Sequence, residues 1–459
     1  MKGTARFFTA AIVLVALVGL FYMEENWRGE RDWKRCQAEF AARGFTTEWE
    51  QLIPPPVPDD QNVFKAPKMT DWFVKRAGAY TNELTVRLTD PQTTGAVGSA
   101  TNAIISQTEA KEYLAWSDQF RPDFSVMREA LKRPYVRVNA DYSDPYQMRI
   151  ENFIAIRIVA QTLAQRAHCH LVLDQPAEAL ADITLLYDLR RLLRPEPTGK
   201  PVLLVPAMID VAVMGLYVET VSSGTTRHAW RESQLVSLQV QLKDINLTSL
   251  VAEALHEEPV ASCSFLEKHF LQVDHSVTVP LPSGSYSYYK VMPRGWLYEN
   301  LVTTMMLEHK PLAGFDLTND VIKPEVFDAS ARDIDHFFDR MSPSTIVAAI
   351  AVPNYVKGEI VSAYTQTKVN EARVVCGLER YRLVHGDYPE MLEALVPQFI
   401  ERLPHDIVGG QPLRYRRSSD GKFLLYSVGW NQIDDNGISF GTTTNGLPDY
   451  RTGDWIWKN

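Results

Sequence analysis

An uncharged apolar run near the N-terminus is the feature that most constrains this chain. The run FFTAAIVLVALVGLFYM, Phe7 to Met23, has no charged side chain, and a membrane-spanning helix needs about 17–25 predominantly apolar residues. No small-residue A-x-A-like cleavage site follows it, so the sequence predicts an uncleaved anchor, with a cleaved signal peptide as the alternative. Lys2 and Arg6 precede the run and Glu24 follows it. The positive-inside rule then exports everything after residue 23.

Composition is typical of a folded protein and gives no overall basic surface for nucleic acid. The 459 residues are enough for two or three domains. Hydrophobic residues make up 45% and charged residues 22%, and the net charge is −9. We therefore expect no nucleic-acid partner. The apolar run makes a membrane, crossed once, the first expected partner.

The four cysteines give no metal or redox motif. None of them forms a C-x-x-C pair, so a thiolate zinc site is not indicated. Cys169 and Cys376 lie in apolar helical patterns and are predicted to be buried thiols. An exported location would permit disulfides, but the spacing of the four cysteines does not select partners.

The sequence divides into four segments and predicts a mainly α chain with a C-terminal α+β module. They are a membrane anchor (1–23), a helical stem and proline-rich strap (24–65), a mostly helical body (66–342) and the module (343–459). In the stem, Trp33, Cys36 and Phe40 share one helix face. The strap IPPPVPDD, Ile53 to Asp60, favours stiff extended backbone that leads to the body.

The body contains one clear helical pair and one segment of different character. The stretch Met148 to Leu193 keeps a 3.6-residue apolar period that is interrupted before Pro176, which predicts an αα-hairpin. No second copy occurs at a 34-residue period, so a repeat array is not supported. Residues 276–300 carry Tyr286 and Tyr288, and we expect an irregular loop that packs its aromatics into the core, with glycan or peptide binding as the alternative.

Two clusters of polar residues in the body are candidates for a metal site and for a catalytic site. His168 and His170 stand two residues apart and therefore point to different sides of a helix, which excludes one shared metal there. The segment ARDIDHFFDR supplies the weak catalytic candidates of a hydrolase hypothesis. They are Asp333, Asp335, His336 and Asp339. Carboxylates paired on one helix face can divide acid and base work, but they also form ordinary solvated faces.

The C-terminal segment has a specific pattern. A long helical pattern ends at His385 and Gly386, and strand patterns follow at Leu413 to Arg417 and Phe423 to Val428. The segments LERYRLVHGDYPE, LVPQFI, GQPLRY and LYSVG resemble the major pseudopilin of type II secretion systems, over about a quarter of the chain. The resemblance implies a long helix packed on a small antiparallel sheet. The N-terminus lacks the leader typical of pilins, so the resemblance does not imply assembly into a pseudopilus.

The same resemblance implies one calcium ion in the loop after the last predicted strand. Its oxygen ligands would come from carbonyls and from amide and carboxylate side chains, at Leu425, Ser427, Asn431, Asp434, Asp435 and Asp454. Such an oxygen set suits calcium. The competing interpretation is that asparagine and aspartate only form turns here.

The leading functional hypothesis is a single-span envelope protein that binds or scaffolds, beside a secretion or pilus-type machine. With the resemblance, the expected partners are a bacterial inner membrane, crossed once with the bulk in the periplasm, and an unidentified protein of the envelope. No catalytic signature of the G-x-S-x-G, Walker or G-x-G-x-x-G type occurs. The alternatives are an envelope hydrolase that uses the acidic cluster, and a structural spacer tethered to the membrane. The whole chain also resembles membrane-anchored bacterial envelope proteins of unassigned function, which adds no activity.

Overall fold

The computed structural model describes residues 2–75, 80–89, 106–194, 196–271, 292–339, 342–352 and 356–457. These residues are mostly helical, with a long apolar helix at the N-terminus and two small antiparallel sheets towards the C-terminus. The predicted fold class is therefore confirmed. Of the irregular loop predicted at 276–300, residues 276–291 with Tyr286 and Tyr288 lie outside the described residues, whereas residues 294–300 are helical, so the loop prediction is wrong there.

Helices form most of the described residues, and five short strands lie among those late in the chain. The helices are α1 (Lys2–Ala42), α2 (Met69–Phe73), α3 (Glu83–Thr89), α4 (Gln107–Ser117), α5 (Arg121–Ala130), α6 (Phe153–Val172), α7 (Pro176–Leu189), α8 (Leu204–Thr226), α9 (Glu232–Lys243), α10 (Leu247–Leu266), α11 (Arg294–His309), α12 (Pro324–Phe338), α13 (Ala348–Ala351) and α14 (Val356–His385). The strands are β1 (Phe315–Asp316), β2 (Val321–Ile322), β3 (Arg414–Arg417), β4 (Phe423–Ser427) and β5 (Trp455–Ile456).

The largest core joins the helical body to the C-terminal helix. It includes Leu163 of α6, Tyr217 of α8, Leu238 of α9 and Val375 of α14, all fully buried or nearly so. The predicted αα-hairpin is α6 and α7, with Pro176 in the first helical position. Because α14 packs directly on α8 and α9, the predicted C-terminal module shares its core with the body.

The stem half of α1 lies along the body. Trp33, Cys36 and Phe40 form a hydrophobic cluster with Leu301 of α11 and residues of α10, as expected for a helix that is apolar on one face. Trp33 Nε1 also donates a hydrogen bond of 3.0 Å to Glu267 Oε1. The stem is therefore part of a core and does not hold the body at a distance.

The C-terminal sheet has the antiparallel order β3-β4-β5. Arg414 pairs with Tyr426 and Arg417 with Phe423, around a tight turn in which Gly421 has φ +79°. The two predicted strands are thereby confirmed. The short strand β5, in which Trp455 pairs with Ser427, was not predicted.

All four cysteines are buried and carry free thiols. The prediction for Cys169 and Cys376 is confirmed, because both are fully buried in helices. Cys36 and Cys263 pack in the cluster between the stem and the body.

Candidate functional site

The loop predicted to hold calcium is organised around one buried carboxylate. Asp454 is fully buried, and its Oδ2 accepts a hydrogen bond of 2.6 Å from the backbone N–H of Gly437. Its Oδ1 accepts one of 3.2 Å from the backbone N–H of Asp435. Burial raises the pKa of Asp454, and the nearby carboxylates add to that effect. Asp454 thus ties the two ends of the loop together.

The other predicted ligands divide among three places. Asn431 Nδ2 donates to Asp435 Oδ2 over 3.1 Å, so these two residues lie beside Asp454. Asp434 turns towards β3 and β4, where it accepts a hydrogen bond of 3.0 Å from the Tyr426 hydroxyl and pairs with Arg414 over 3.2 Å.

The last two predicted ligands contribute to the sheet. The carbonyl of Leu425 accepts a hydrogen bond of 2.9 Å from the backbone N–H of Trp457, and Ser427 Oγ donates to Asp406 Oδ1 over 2.9 Å. Across the described ranges, no group of three or more histidine, cysteine, aspartate or glutamate side chains is arranged to hold a metal ion. Calcium binding by the six residues stays a prediction, and of their side chains Asn431, Asp435 and Asp454 lie together.

The carboxylates proposed for a hydrolase lie on the outer surface of α12 and at its end. Asp333, Asp335, His336 and Asp339 are all exposed. Asp333 forms an ion pair with Lys310, and this pairing lowers the pKa of Asp333. None of the four lines either of the two cavities described below. Their arrangement is that of a solvated helix face.

The two histidines of the HCH motif point in different directions, as predicted. His168 Nδ1 lies 2.9 Å from Ser223 Oγ of α8. His170 Nδ1 lies 2.7 Å from Gln175 Oε1, and its other nitrogen is 3.7 Å from Asp182. The two rings therefore serve separate contacts of α6.

A groove of about 890 Å³ runs along the exposed face of α8. Its walls come from α6, α14 and the C-terminal segment, and we call it the α8 groove. The part of α8 that lines it extends from Val211 to Arg227, a length of roughly 24 Å at about 1.5 Å per residue. A volume of this size lies within the range of protein ligand sites.

Small residues on α8 keep the groove open. Ala212, Gly215 and Ser222 all line it, and a Cβ atom built on Gly215 would meet no heavy atom within 4 Å. Glycine costs about 1 kcal/mol relative to alanine within a helix. Glycine at position 215 therefore makes the helix less stable than alanine would, and no packing contact requires it.

One end of the groove carries polar groups. The pKa of His168 is lowered by burial and by the nearby charge of Arg227, so the ring is neutral at pH 7. When Ser223 donates its hydroxyl proton to Nδ1, the ring carries its own proton on Nε2, which has no hydrogen-bond partner among the described residues. Arg227 is exposed and forms no ion pair within the described part of the chain.

Aromatic side chains form another wall of the groove. Tyr364 of α14 stacks on Tyr450 with ring centroids 4.2 Å apart, and Phe440 packs edge-on against Tyr450 at 4.9 Å. Trp457 also lines the groove; it is 3% exposed, and its Nε1 has no hydrogen-bond partner among the described residues. Sequence reasoning missed this site because its walls come from distant parts of the chain.

A second cavity of about 270 Å³ lies between the segment after α5 and the one before α8. Tyr142 and Phe153 contribute to a mostly apolar lining. Its buried charges are already paired, since Lys200 Nζ contacts the Glu151 carboxylate and donates to the Leu192 carbonyl over 2.7 Å. This cavity therefore offers fewer free polar groups than the α8 groove.

Two carboxylates lie buried beneath the C-terminal sheet. Glu371 pairs with Lys368 over 2.6 Å, and burial raises its pKa to about 7. Asp406 accepts hydrogen bonds from Ser427 Oγ and from the backbone N–H of Val408, both at 2.9 Å, and burial raises its pKa to about 6. No local sequence pattern brings these residues together, so sequence reasoning gave Glu371 no role.

Two helices in the described ranges are long and apolar enough to cross a membrane, and they differ in burial. The apolar half of α1 exposes its side chains, for example Phe7 at 72%. Helix α8 has half of its apolar stretch buried and carries Asp210, which is fully buried in an ion pair with Arg190. Helix α1 is the candidate membrane span, and α8 packs as a core helix.

Two glycines set how closely α1 approaches α11. A Cβ on Gly295 would lie 1.8 Å from the backbone oxygen of Glu25, and one on Gly29 would lie 2.2 Å from the backbone oxygen of Gly295. Only glycine fits at these two positions without a shift of the backbone.

Polar contacts close the same crossing. Glu25 accepts hydrogen bonds from Trp296 Nε1 at 2.8 Å and Arg28 Nη2 at 2.7 Å. Arg28 also pairs with Glu299 over 2.6 Å. These contacts hold the stem half of α1 against the body, which also carries the α8 groove.

Comparisons of the chain with protein-family models, with curated proteins and with solved structures find no match. The resemblance to a pseudopilin therefore stays a prediction, and the arguments below rest on the geometry of the described residues.

Proposed function

We propose that this chain is a single-span envelope protein that binds or scaffolds a partner on the outer side of a bacterial inner membrane. The observation that carries the proposal is α1 itself, whose exposed apolar half continues without a break into a stem packed on the body. An anchor joined in this way holds the body close to the membrane in one orientation. A role beside a secretion or pilus-type machine rests on the pseudopilin resemblance alone.

The α8 groove favours binding over a purely structural spacer. A spacer needs no open site, whereas this groove combines a neutral histidine, an aromatic wall and an arginine that forms no ion pair with any described residue. Ligand sites usually combine a largely apolar lining with a few polar groups in this way.

The hydrolase alternative has weaker support. The acidic residues of α12 are exposed. The Ser223 and His168 pair has the spacing of a nucleophile and a base. However, Ser223 lies inside α8, where neighbouring backbone N–H groups bond within the helix and cannot stabilise an oxyanion.

Membrane fractionation and protease access test the proposed placement. We expect the full chain to resist extraction by alkaline carbonate, and protease added to spheroplasts to digest the body. A matched chain that lacks residues 2–23 should be released into the soluble fraction. A full-length chain in the soluble fraction, or a body protected from external protease, would contradict the proposal.

Co-purification from detergent-solubilised envelope separates a scaffold from a spacer. The α8 groove can be filled by Gly215→Trp, with Gly215→Ala as the control that leaves most of the space open. A scaffold should retain a defined partner with the wild type and the alanine variant and lose it with the tryptophan variant. Equal recovery with all three chains would argue against the groove as the binding surface.

A further inference from the structure

We propose that the side of α1 around Trp27, together with the first turn of α11, lies in the phospholipid headgroup layer of the membrane. This inference rests on the proposed placement of α1 across a membrane, and it adds that the body itself contacts lipid. The surface consists of exposed side chains on both helices, and we call it the headgroup face. They are Leu20, Met23, Trp27 and Arg31 of α1 and Arg294 of α11.

Along α1, the headgroup face changes from apolar to aromatic to cationic. Leu20, Met23, Trp27 and Arg31 follow one another at intervals of three or four residues, which places them on one side of the helix. The Arg31 guanidinium lies 4.8 Å from the centre of the Trp27 ring. Tryptophan is enriched where a helix passes from lipid to water. The order of the side chains is therefore the one expected at the end of a membrane span.

The exposure of Trp27 sets it apart from the other tryptophans. The chain contains ten tryptophans, all of them among the described residues, and Trp27 is the only exposed one. It is 63% exposed, whereas Trp33 on the same helix is 4% exposed and packs against the body. Indole has a large apolar area. Lipid at the level of Trp27 would cover area that the fold leaves exposed.

The length of the apolar run places Trp27 at the depth of the headgroups. The run Phe7 to Met23 corresponds to roughly 25 Å of helix at about 1.5 Å per residue. The hydrocarbon core is about 30 Å thick, and each headgroup layer adds about 5–8 Å. A run shorter than the core draws its flanking residues towards the lipid. Trp27 lies roughly 6 Å beyond Met23 along the helix, which is within the headgroup layer.

Helix α11 begins at the same depth and runs away from the membrane. Gly295, at its start, lies against the backbone of Glu25. His309, at its end, has its ring 4.5 Å from the ring of Phe40. The two helices are therefore parallel. The first turn of α11 lies beside the part of α1 that directly follows the apolar run.

Trp296 connects the apolar run to the polar turn that follows it. Its ring packs edge-on against that of Phe21, with the centroids 6.1 Å apart. Its Nε1 donates a hydrogen bond of 2.8 Å to Glu25 Oε2. The ring thus faces the end of the span and the N–H group faces the first turn beyond it. Amphipathic indole rings take this orientation at a boundary between lipid and water.

Two arginines of the headgroup face can contact lipid phosphate. Arg31 pairs with Asp32 over 2.9 Å, and Arg294 Nη2 donates a hydrogen bond of 2.8 Å to the Leu271 carbonyl. Each guanidinium carries five N–H donors, so both keep donors beyond these contacts. Guanidinium groups form strong, charge-assisted hydrogen bonds with phosphate oxygens. The chemistry of the face therefore fits a phospholipid headgroup.

Photocrosslinking from single positions tests the inference. The full chain, with p-benzoylphenylalanine in place of one residue, is reconstituted in nanodiscs of radiolabelled phosphatidylethanolamine and phosphatidylglycerol, and the lipid bound to the chain is counted. Trp27 and Arg294 are the test positions. Glu39 of α1 and Met306 of α11 are the matched controls, because they are exposed on the same helices and lie roughly 18 Å further from the span.

The expected result is a clear difference between test and control positions. Trp27 and Arg294 should each give at least about fivefold more crosslinked lipid than their controls, because the headgroup layer is only about 5–8 Å thick. Leu14, which is 63% exposed within the apolar run, is the positive reference for contact with lipid. Melting temperatures equal to that of the wild type would show that the substituted chains are folded.

Two results would overturn this inference alone. One is crosslinked lipid at Leu14 with no more at Trp27 and Arg294 than at their controls. The other is crosslinking of the two test positions to a protein in intact envelope in place of lipid, since the face would then bind a partner protein. Absence of lipid at Leu14 would contradict the proposed placement of α1 and this inference with it. The two failures are therefore distinguishable.

Discussion

The crossing of α1 with α11 and the open face of α8 both depend on glycine, with opposite consequences. At Gly295 a Cβ atom would lie 1.8 Å from the backbone of Glu25, whereas at Gly215 it would meet nothing within 4 Å. At the crossing glycine removes volume so that two helices touch. In the groove it leaves space that no other part of the described chain fills.

The two regions also differ in whether their polar groups have hydrogen-bond partners. At the crossing, Glu25 and Arg28 satisfy one another and the partners on α11. In the groove, Trp457 Nε1 and His168 Nε2 find no partner among the described residues. The comparison indicates that the crossing stabilises a fixed geometry, whereas the walls of the groove contain buried polar atoms that have no partner among the described residues.

The largest expected effect comes from the closed face of α8. Asp210 and Arg190 form a buried pair with hydrogen bonds of 2.9 and 3.3 Å. Asp210→Ala would leave the guanidinium buried without its partner, which costs about 3–5 kcal/mol. Chemical denaturation measures this loss. An exposed ion pair with Lys243, removed by Glu401→Ala, serves as the control and should have a much smaller effect on stability.

The next largest effect concerns the crossing of α1 and α11. Gly295→Leu would force the two backbones apart, and we expect a loss of about 3 kcal/mol in the free energy of unfolding. Limited proteolysis should then cut between the stem and the body. Gly19→Leu, on an exposed face of the candidate span, is the control. If Gly295→Leu were as stable as the wild type, the contrast between the close contact at the crossing and the open space at Gly215 would be wrong.

A buried carboxylate in the C-terminal region predicts a pH dependence. Glu359 is 3% exposed, its carboxylate oxygens have no hydrogen-bond partner among the described residues, and burial raises its pKa from 4.5 to about 8. The folded protein therefore keeps a proton that the unfolded chain has already lost, so its contribution to stability falls as pH rises from about 4.5 to about 8.

Replacing this residue isolates its contribution. Glu359→Gln should stabilise the protein at pH 8 by about 2 kcal/mol or more, because each pKa unit corresponds to about 1.4 kcal/mol. At pH 4 the variant and the wild type should differ little. Denaturation curves at the two pH values measure this. A variant whose stability changes with pH as steeply as that of wild type would exclude Glu359 as the source.

The smallest expected effect is that of calcium on the C-terminal loop. At calcium concentrations about ten times the dissociation constant, we expect a gain of about 1.4 kcal/mol and a corresponding rise in melting temperature. Asp435→Ala should abolish the rise, and Asp420→Ala, in the turn between β3 and β4, should keep it. No change in melting temperature with millimolar calcium would remove the calcium prediction.

Local patterns predicted the elements that local interactions define. The αα-hairpin around Pro176, the end of α14 at Gly386 with φ +86°, and strands β3 and β4 all follow from periodicity and turn residues. Strand β5 was missed because two residues carry no period of their own, and only pairing with β4 defines them.

The sites depend more on tertiary contacts than the elements do. Asn431 and Asp435 lie four residues apart on one loop, and the resemblance added Asp454, which lies beside them although the insertion ISFGTTTNGLPDYRT separates it in sequence. The side chain of Asp434 contacts Arg414 and Tyr426 instead, and no local sequence pattern indicated that contact. The α8 groove required four distant segments to be brought together, which no local pattern reveals.

Hydrogen exchange of the full chain in a lipid nanodisc tests most directly whether anchor and body form one rigid unit. The account predicts that backbone amides of stem residues 25–40 exchange as slowly as those of α11, because both belong to the same packed crossing. Rapid exchange in the stem beside slow exchange in α11 would contradict it.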